Sequence, residues 1–206
     1  MKQPGLNPYI EFLVVAGLVL LFGAVTYQRN FAWKDDISLW SDVVKKSSNK
    51  ARPYLPLGIA YQGRGLIAEA INRYIKALAL RPNYAAAYHN LGKAYGELGR
   101  FKKEFEAYQE AIRINPRLAQ AHYNIGILFG KMENYQEELQ AYKRAIRLRP
   151  DYQKGYCNLG AVYAQMGQYS KAILAFKEAL RLNPDDRVAQ QNLKMAYDKI
   201  KGGKKG

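Results

Sequence analysis

The chain has 206 residues, about half of them apolar, and a net charge of +15. Its single cysteine, Cys157, excludes an intrachain disulfide framework and a cysteine-rich zinc site, and two histidines, His89 and His122, leave little for imidazole-based metal or triad chemistry. The positive charge suits an acidic partner, an anionic lipid surface or nucleic acid, or it simply keeps a helical surface solvated.

The first predicted element is an N-terminal anchor over residues 1–30. Residues 12–25, "FLVVAGLVLLFGAV", carry no charge, and the run extends from Tyr9 to Tyr27 with only Glu11 and Thr26 as polar interruptions. At about 1.5 Å per residue this length comes near the roughly 30 Å of a bilayer core. Tyr9 and Tyr27 sit where interfacial aromatics belong. The segment is apolar all round rather than along one stripe, so a surface helix is disfavoured. "GAVTYQ" is a poor cleavage site, so an uncleaved single transmembrane helix is expected, with a cleaved signal peptide as the alternative. Lys2 before the run, against Arg29, Lys34, Lys45 and Lys46 after it, favours a cytoplasmic C-terminal part.

Residues 31–50 hold both tryptophans. Trp33, close to the end of the apolar run, is placed as an interfacial anchor. Asp35 and Asp36 stand where a helix N-terminus favours negative charge, and Lys45 and Lys46 where a C-terminus favours positive charge. The helix between them fits the period found downstream: 34 residues before Tyr74 lies Trp40, and 34 before Ala77 lies Val43. Residues 31–50 therefore read as a half-repeat capping helix, with Trp40 as a core aromatic covering the first full repeat.

From residue 51 the chain repeats every 34 residues. Pro82, Pro116, Pro150 and Pro184 keep that step, as do Gly58, Gly92, Gly126 and Gly160, and Ala77, Ala111, Ala145 and Ala179. Aromatics follow at Tyr61, Tyr95, Phe129 and Tyr163, and again at Tyr74, Tyr108, Tyr142 and Phe176. In the second copy Tyr88, Leu91 and Tyr95 share one face of a first helix, while Phe105, Tyr108, Ala111 and Ile112 share one face of a second. Proline ends each second helix, because it disfavours helical geometry just before itself. One such hairpin cannot bury its face alone, so the copies must stack. Two departures stand out: Glu104 and Glu138 replace the small residue seen at Ala70 and Ala172, and Glu133 replaces a turn glycine. Each of these glutamates is expected to reach water. Residues 187–206 read as a capping helix and a basic tail, "KGGKKG".

The period and its residue set resemble the tetratricopeptide repeat, a helix–turn–helix unit. The resemblance covers residues 51–186 as four repeats, 51–84, 85–118, 119–152 and 153–186. It implies an all-α chain: the transmembrane helix, then a right-handed α-solenoid, then the cap. The run from Thr26 to Tyr61 is also similar to a junction in the transmembrane-and-tetratricopeptide family, whose members join a glycosyltransferase-like membrane region to C-terminal repeats. In that family the repeats lie on the lumenal or exoplasmic side, which opposes the charge bias. The expected location is the cell membrane, single-pass, leaning to a periplasmic or exoplasmic repeat domain. The catalytic membrane region of that family has no counterpart here, so its activity does not carry over.

No phosphate-cradling loop, metal-ligand cluster, cofactor motif or nucleophile with an evident base is present, so no catalytic or metal-binding residue is assigned and no enzyme is expected. The resemblance implies a ligand in the concave groove lined by first helices. The groove positions are Arg52, Leu55 and Ile59; His89, Asn90 and Lys93; Tyr123, Asn124 and Ile127; Lys154, Cys157 and Asn158. Leu55, Ile59, Tyr123 and Ile127 form an apolar strip, and Arg52, Lys93 and Lys154 a basic edge; the strip serves either a peptide or the chain's own second helices. Arg113, Arg147 and Arg181 recur at second-helix C-termini, where they complement helix dipoles, so much of the charge belongs to the repeat. Nucleic acid is not an expected partner, because the aromatics occupy core phases rather than an exposed stacking face. The reading is a membrane-anchored scaffold that binds a protein or peptide; the alternative is an accessory subunit, or split-off C-terminal part, of a membrane glycosyltransferase system.

Overall fold

The computed structural model describes residues 8–32 and 34–202. Among them the chain is all-α, with helices α1 (Pro8–Ala32), α2 (Asp36–Lys46), α3 (Tyr54–Gly63), α4 (Ile67–Leu80), α5 (Ala85–Glu97), α6 (Phe101–Ile114), α7 (Ala119–Lys131), α8 (Tyr135–Leu148), α9 (Gln153–Gln165), α10 (Tyr169–Leu182) and α11 (Arg187–Gly202). Trp33, Lys2 and residues 203–206 of the basic tail lie outside the described residues.

The expected membrane span is overturned. Among the described residues no helix is long and apolar enough to cross a membrane. Length gives the reason: the charge-free run of residues 12–25 spans only about 21 Å at 1.5 Å per residue, against roughly 30 Å of hydrocarbon. The sequence turns polar on both sides of it, at Glu11 and from Thr26 through Gln28, Arg29 and Asn30. The single-pass cell-membrane location, and with it a membrane partner and a side of the membrane, is thereby corrected.

From α3 onward the helices form four antiparallel hairpins, α3/α4, α5/α6, α7/α8 and α9/α10, and each hairpin packs on the next. Contacts run almost wholly between sequence neighbours, the mark of a solenoid. Tyr74, Tyr108, Tyr142 and Phe176 are the largest fully buried side chains. Each ring lies against the glycine of its own first helix: a Cβ added at Gly92 or Gly160 would sit 2.6 Å from the ring of Tyr108 or Phe176. The 34-residue glycine is therefore the seat of the 34-residue aromatic. The second helices α4, α6, α8 and α10 each stop two residues short of Pro82, Pro116, Pro150 or Pro184. The turns within the hairpins pass through left-handed backbone at Gly65, Gly99 and Gly167 (φ 75°, 66° and 71°) and at Glu133 (φ 56°).

α2 starts at an Asp35 cap, whose carboxylate accepts a 2.7 Å bond from the Ser38 amide and a 2.8 Å bond from Arg64 beyond α3. These bonds, the Ser38 amide first, hold the Asp35 carboxyl below its ordinary range. α2 rests on α3 but buries no residue, and Trp40 is only half-buried. The expectation of a fully covered Trp40 is corrected accordingly: Tyr74 is enclosed by hairpins on both sides, whereas Trp40 borders an open cavity of about 580 Å³ with Ile37, Pro56 and Ile59. At the far end α11 packs on α10 through Ala189 and Ala196 and leaves its outer face polar.

Glu104 and Glu138 do not reach water, contrary to expectation; they are 4% and 7% exposed. Each is hydrogen-bonded to the hydroxyl of the core tyrosine one turn on, Tyr108 or Tyr142. Space for them comes from a second glycine: a Cβ at Gly96 or Gly130 would meet the carboxylate at 2.7 Å. The first repeat solves the same problem differently. There Ala70 leaves no partner, and Gln62 accepts from the Tyr74 hydroxyl at 2.7 Å. The fourth repeat has Phe176, Ala172 and Ala164 at these positions: no hydroxyl, and no partner for one. The substitutions thus follow one rule, that a buried hydroxyl must be paired.

Candidate binding groove

The twelve groove candidates fall on α3, α5, α7 and α9, except Arg52, which precedes α3 and is exposed. The structure sorts them into different roles. Leu55 is half-buried and packs on the core around Tyr74 and Ala77. Ile59, 48% exposed, faces the Trp40 cavity rather than the centre of the groove. Tyr123 is half-buried, with its ring 4.9 Å from that of Tyr152 and 5.5 Å from that of Tyr142. Ile127 and Cys157 are half-buried against the same core cluster, and burial pushes the Cys157 thiol up. The anticipated apolar strip is thus largely an inner lining with one flank open. Lys93 and Lys154 are exposed.

The three asparagines act as rungs between neighbouring hairpins. Asn124 Nδ2 lies 3.0 Å from His89 Nε2, and Asn158 Nδ2 donates to the Tyr123 hydroxyl at 3.1 Å and the Tyr142 hydroxyl at 3.2 Å. Both rungs join a first helix to the one 34 residues later. Asn90 would find Leu55 at that place, which accepts nothing, and it turns back to the Ala86 carbonyl at 2.8 Å. Burial, aided by Lys93, holds the His89 imidazole down to about 4, so it is neutral at pH 7 and can accept from Asn124.

Lys93, Asn124 and Ile127 converge on one cavity of about 360 Å³ between the second and third hairpins. Glu97, Glu104, Tyr108 and Lys131 complete its walls. Glu97 accepts a 2.6 Å bond from Gln62, which itself accepts from Tyr74, so this wall is tied back to the first repeat. Burial raises the Glu104 carboxyl, opposed by Lys131 and by the Tyr108 hydroxyl bond. Burial likewise raises Tyr108 and Tyr142 far above the ordinary tyrosine range, so both hydroxyls stay protonated. Sequence reasoning located Lys93, Asn124 and Ile127 but missed Glu97, Glu104, Tyr108 and Lys131. The available signal was the paired change: where glutamate replaces alanine at 104 and 138, glycine stands at 96 and 130 in place of Gln62 or Ala164.

Among the described residues no group of three His, Cys, Asp or Glu side chains is arranged to hold a metal ion. Comparison with curated proteins gives no match. Among solved structures, the chain is similar to the crystal structure of MamA (29% identity, TM-score 0.65, covering 72% of this chain and 86% of that one). It is also similar to pilF of Pseudomonas aeruginosa (27% identity, TM-score 0.68, 74% and 69% covered). YrrB, described as a TPR protein with an unusual peptide-binding site, shares the fold at 21% identity (TM-score 0.66, 79% and 84% covered). The tetratricopeptide repeat family matches at residues 85–118 and 154–186, and its TPR repeat description at 63–99, 105–133 and 131–167. These matches run from 63 to 186, beyond the Thr26–Tyr61 junction stretch, and with the four stacked hairpins they place the chain in the tetratricopeptide repeat family.

Proposed function

We propose that the chain is a scaffold that holds an extended segment of a partner protein in the groove lined by α3, α5, α7 and α9. Arg52, Leu55, Ile59, His89, Asn90, Lys93, Tyr123, Asn124, Ile127, Lys154, Cys157 and Asn158 form its candidate surface. The observation that carries this reading is the cavity between the second and third hairpins. It joins exposed ammonium groups to a half-buried isoleucine and to polar groups held in place by rungs, as binding clefts do. Apolar contact with Ile127 would supply affinity, and the lysines mainly rate and orientation. The alternative drawn from the junction resemblance, a glycosyltransferase accessory subunit, has no structural observation in its favour.

A displayed random-peptide library selected on the chain tests the proposal. Lys93→Glu with Lys131→Glu reverses charge at two exposed positions and should leave helical content unchanged. Selected peptides should lose at least tenfold in affinity for this variant and keep it for Leu174→Asp, a change at a 65%-exposed residue of α10. Peptides that ignore the lysine reversals and lose binding with Leu174→Asp would move the site out of the groove. Ile127 is a poorer probe, because its packing against the core makes its substitution a stability change as well.

A further inference from the structure

We infer that Glu104 selects a primary carboxamide, the side chain of Asn or Gln, in the segment that occupies the groove; this rests on the groove reading above. Glu104 has two oxygens and one structural duty. Its bond to Tyr108 uses one of them, while Oε2 is buried and has no hydrogen-bond partner. A buried carboxyl oxygen left unpaired is uncommon and calls for an explanation. Glu104 is also a wall of the 360 Å³ cavity that Lys93, Asn124 and Ile127 line, so a partner side chain entering there approaches it.

The other polar walls narrow the chemistry. Glu97 is taken by Gln62, and Asn124 by His89. Lys93 and Lys131 make no salt bridge among the described residues. The site therefore offers one acceptor at depth and ammonium donors nearer its mouth. A carboxylate would put like charge against Glu104. An ammonium or guanidinium would face two lysines. An apolar group would leave Oε2 unpaired. A single hydroxyl carries donor and acceptor on one atom and cannot reach both depth and mouth. A carboxamide carries two N–H donors and a carbonyl on one planar head, and it can donate to Oε2 while accepting from a lysine. Sites built to pair a polar group reject analogues that lack it, because their own groups are then stranded.

Glu138 supplies an internal control. It too is buried, bonded to its tyrosine and left with an unpaired Oε2. By the 34-residue register, however, Ile127 stands where Lys93 stands for Glu104, and Gln165 where Lys131 stands. No pair of ammonium groups faces it, so the carboxamide complement is incomplete there.

The experiment uses the peptides selected on the intact chain. Those that depend on Lys93 and Lys131 should share an Asn or Gln at one position. Replacing that residue by Leu or Asp should weaken binding at least tenfold. Glu104→Gln keeps an acceptor for Tyr108 and adds a donor, so it should shift the preference at that position toward Asp or Glu; Glu138→Gln should shift nothing. Lysine-dependent peptides with no carboxamide preference, or the same preference on Glu104→Gln, would overturn this inference and leave the groove reading intact. Peptides indifferent to the lysines would overturn both. If Glu104→Gln does not fold, the Leu and Asp replacements in the peptide still decide on the unaltered protein.

Discussion

Replacing Gly96 by alanine should destabilise the chain or stabilise it according to the residue at position 104. In the native chain the added Cβ would lie 2.7 Å from the Glu104 carboxyl carbon and 2.8 Å from Oε2, well inside van der Waals contact. Glu104 is enclosed and bonded to Tyr108, so moving aside sacrifices that bond and crowds the core, at about 1–3 kcal/mol. Alanine returns about 1 kcal/mol of helix propensity relative to glycine. The net expectation is a loss of about 1–2 kcal/mol. In a Glu104→Ala background the obstacle is gone, and only the gain of about 1 kcal/mol remains. Glu104→Ala alone should cost about 2–3 kcal/mol, because it leaves a cavity and an unpaired buried hydroxyl on Tyr108. Adding Tyr108→Phe to both changes reproduces the Ala164, Ala172 and Phe176 trio of the fourth repeat and should return the chain to within about 1 kcal/mol of the parent. Urea unfolding followed by helical circular dichroism measures all four variants. If Gly96→Ala costs the same in both backgrounds, within about 0.5 kcal/mol, the pairing of Gly96 with Glu104 is wrong.

Glu133 holds a left-handed backbone (φ 56°) in an exposed turn where the other hairpins use glycine, so Glu133→Gly should raise stability by about 1 kcal/mol in the same urea titration. The His89 imidazole titrates at about 4 in the folded chain against 6.5 unfolded, so its contribution is complete above 6.5 and is lost as pH falls from there through about 4. His89→Leu, which places here the residue found at Leu55, should flatten that part of a melting-temperature profile; burial also lowers His122, which this variant leaves unchanged. Trp40→Ala should cost about 1–2 kcal/mol rather than the 3–5 kcal/mol of a fully buried aromatic, because α2 is covered on one side only. A loss above about 3 kcal/mol on thermal unfolding would show that something else covers Trp40.

The periodic positions were legible because each carries one physical demand. Gly92 and Tyr108 must fit each other, Pro116 must stop a helix, and Gly99 must turn left-handed. These demands are local to a hairpin, so a single sequence displays them at fixed spacing. The apolar N-terminal run misled because composition speaks before length does: residues 12–25 are charge-free but too few. The strip of Leu55, Tyr123 and Ile127 misled in another way. Position within a first helix predicts the face a side chain occupies, but not that the next hairpin half-covers it. Glu104 was seen as a departure and given the ordinary destination of a charged residue. Its burial depends on Gly96, eight residues earlier on the facing helix, and a residue taken alone does not reveal such a pair.

The polar groups of the groove follow from a choice made in the core. Tyrosine at the central aromatic position brings a hydroxyl into a region without water, and burying it unpaired would cost about 1–3 kcal/mol. The chain supplies partners from the groove side: Gln62 for Tyr74, Glu104 for Tyr108, and Glu138 with Asn158 for Tyr142. Those partners then reach across to the neighbouring hairpin, Gln62 to Glu97 and Asn158 to Tyr123, while Asn124 meets His89. The repeats are therefore joined along the groove by hydrogen bonds as well as by apolar packing. A ligand that takes over one of these bonds disturbs the core of its own repeat and a side chain of the next. Where the aromatic is phenylalanine, at Phe176, that coupling has no origin. The bottom of the fourth repeat is accordingly apolar, with Ala161, Ala164 and Met195 lining its cavity. Recognition of polar groups should therefore concentrate in the first three repeats, and the C-terminal end of the groove should contribute shape and apolar contact.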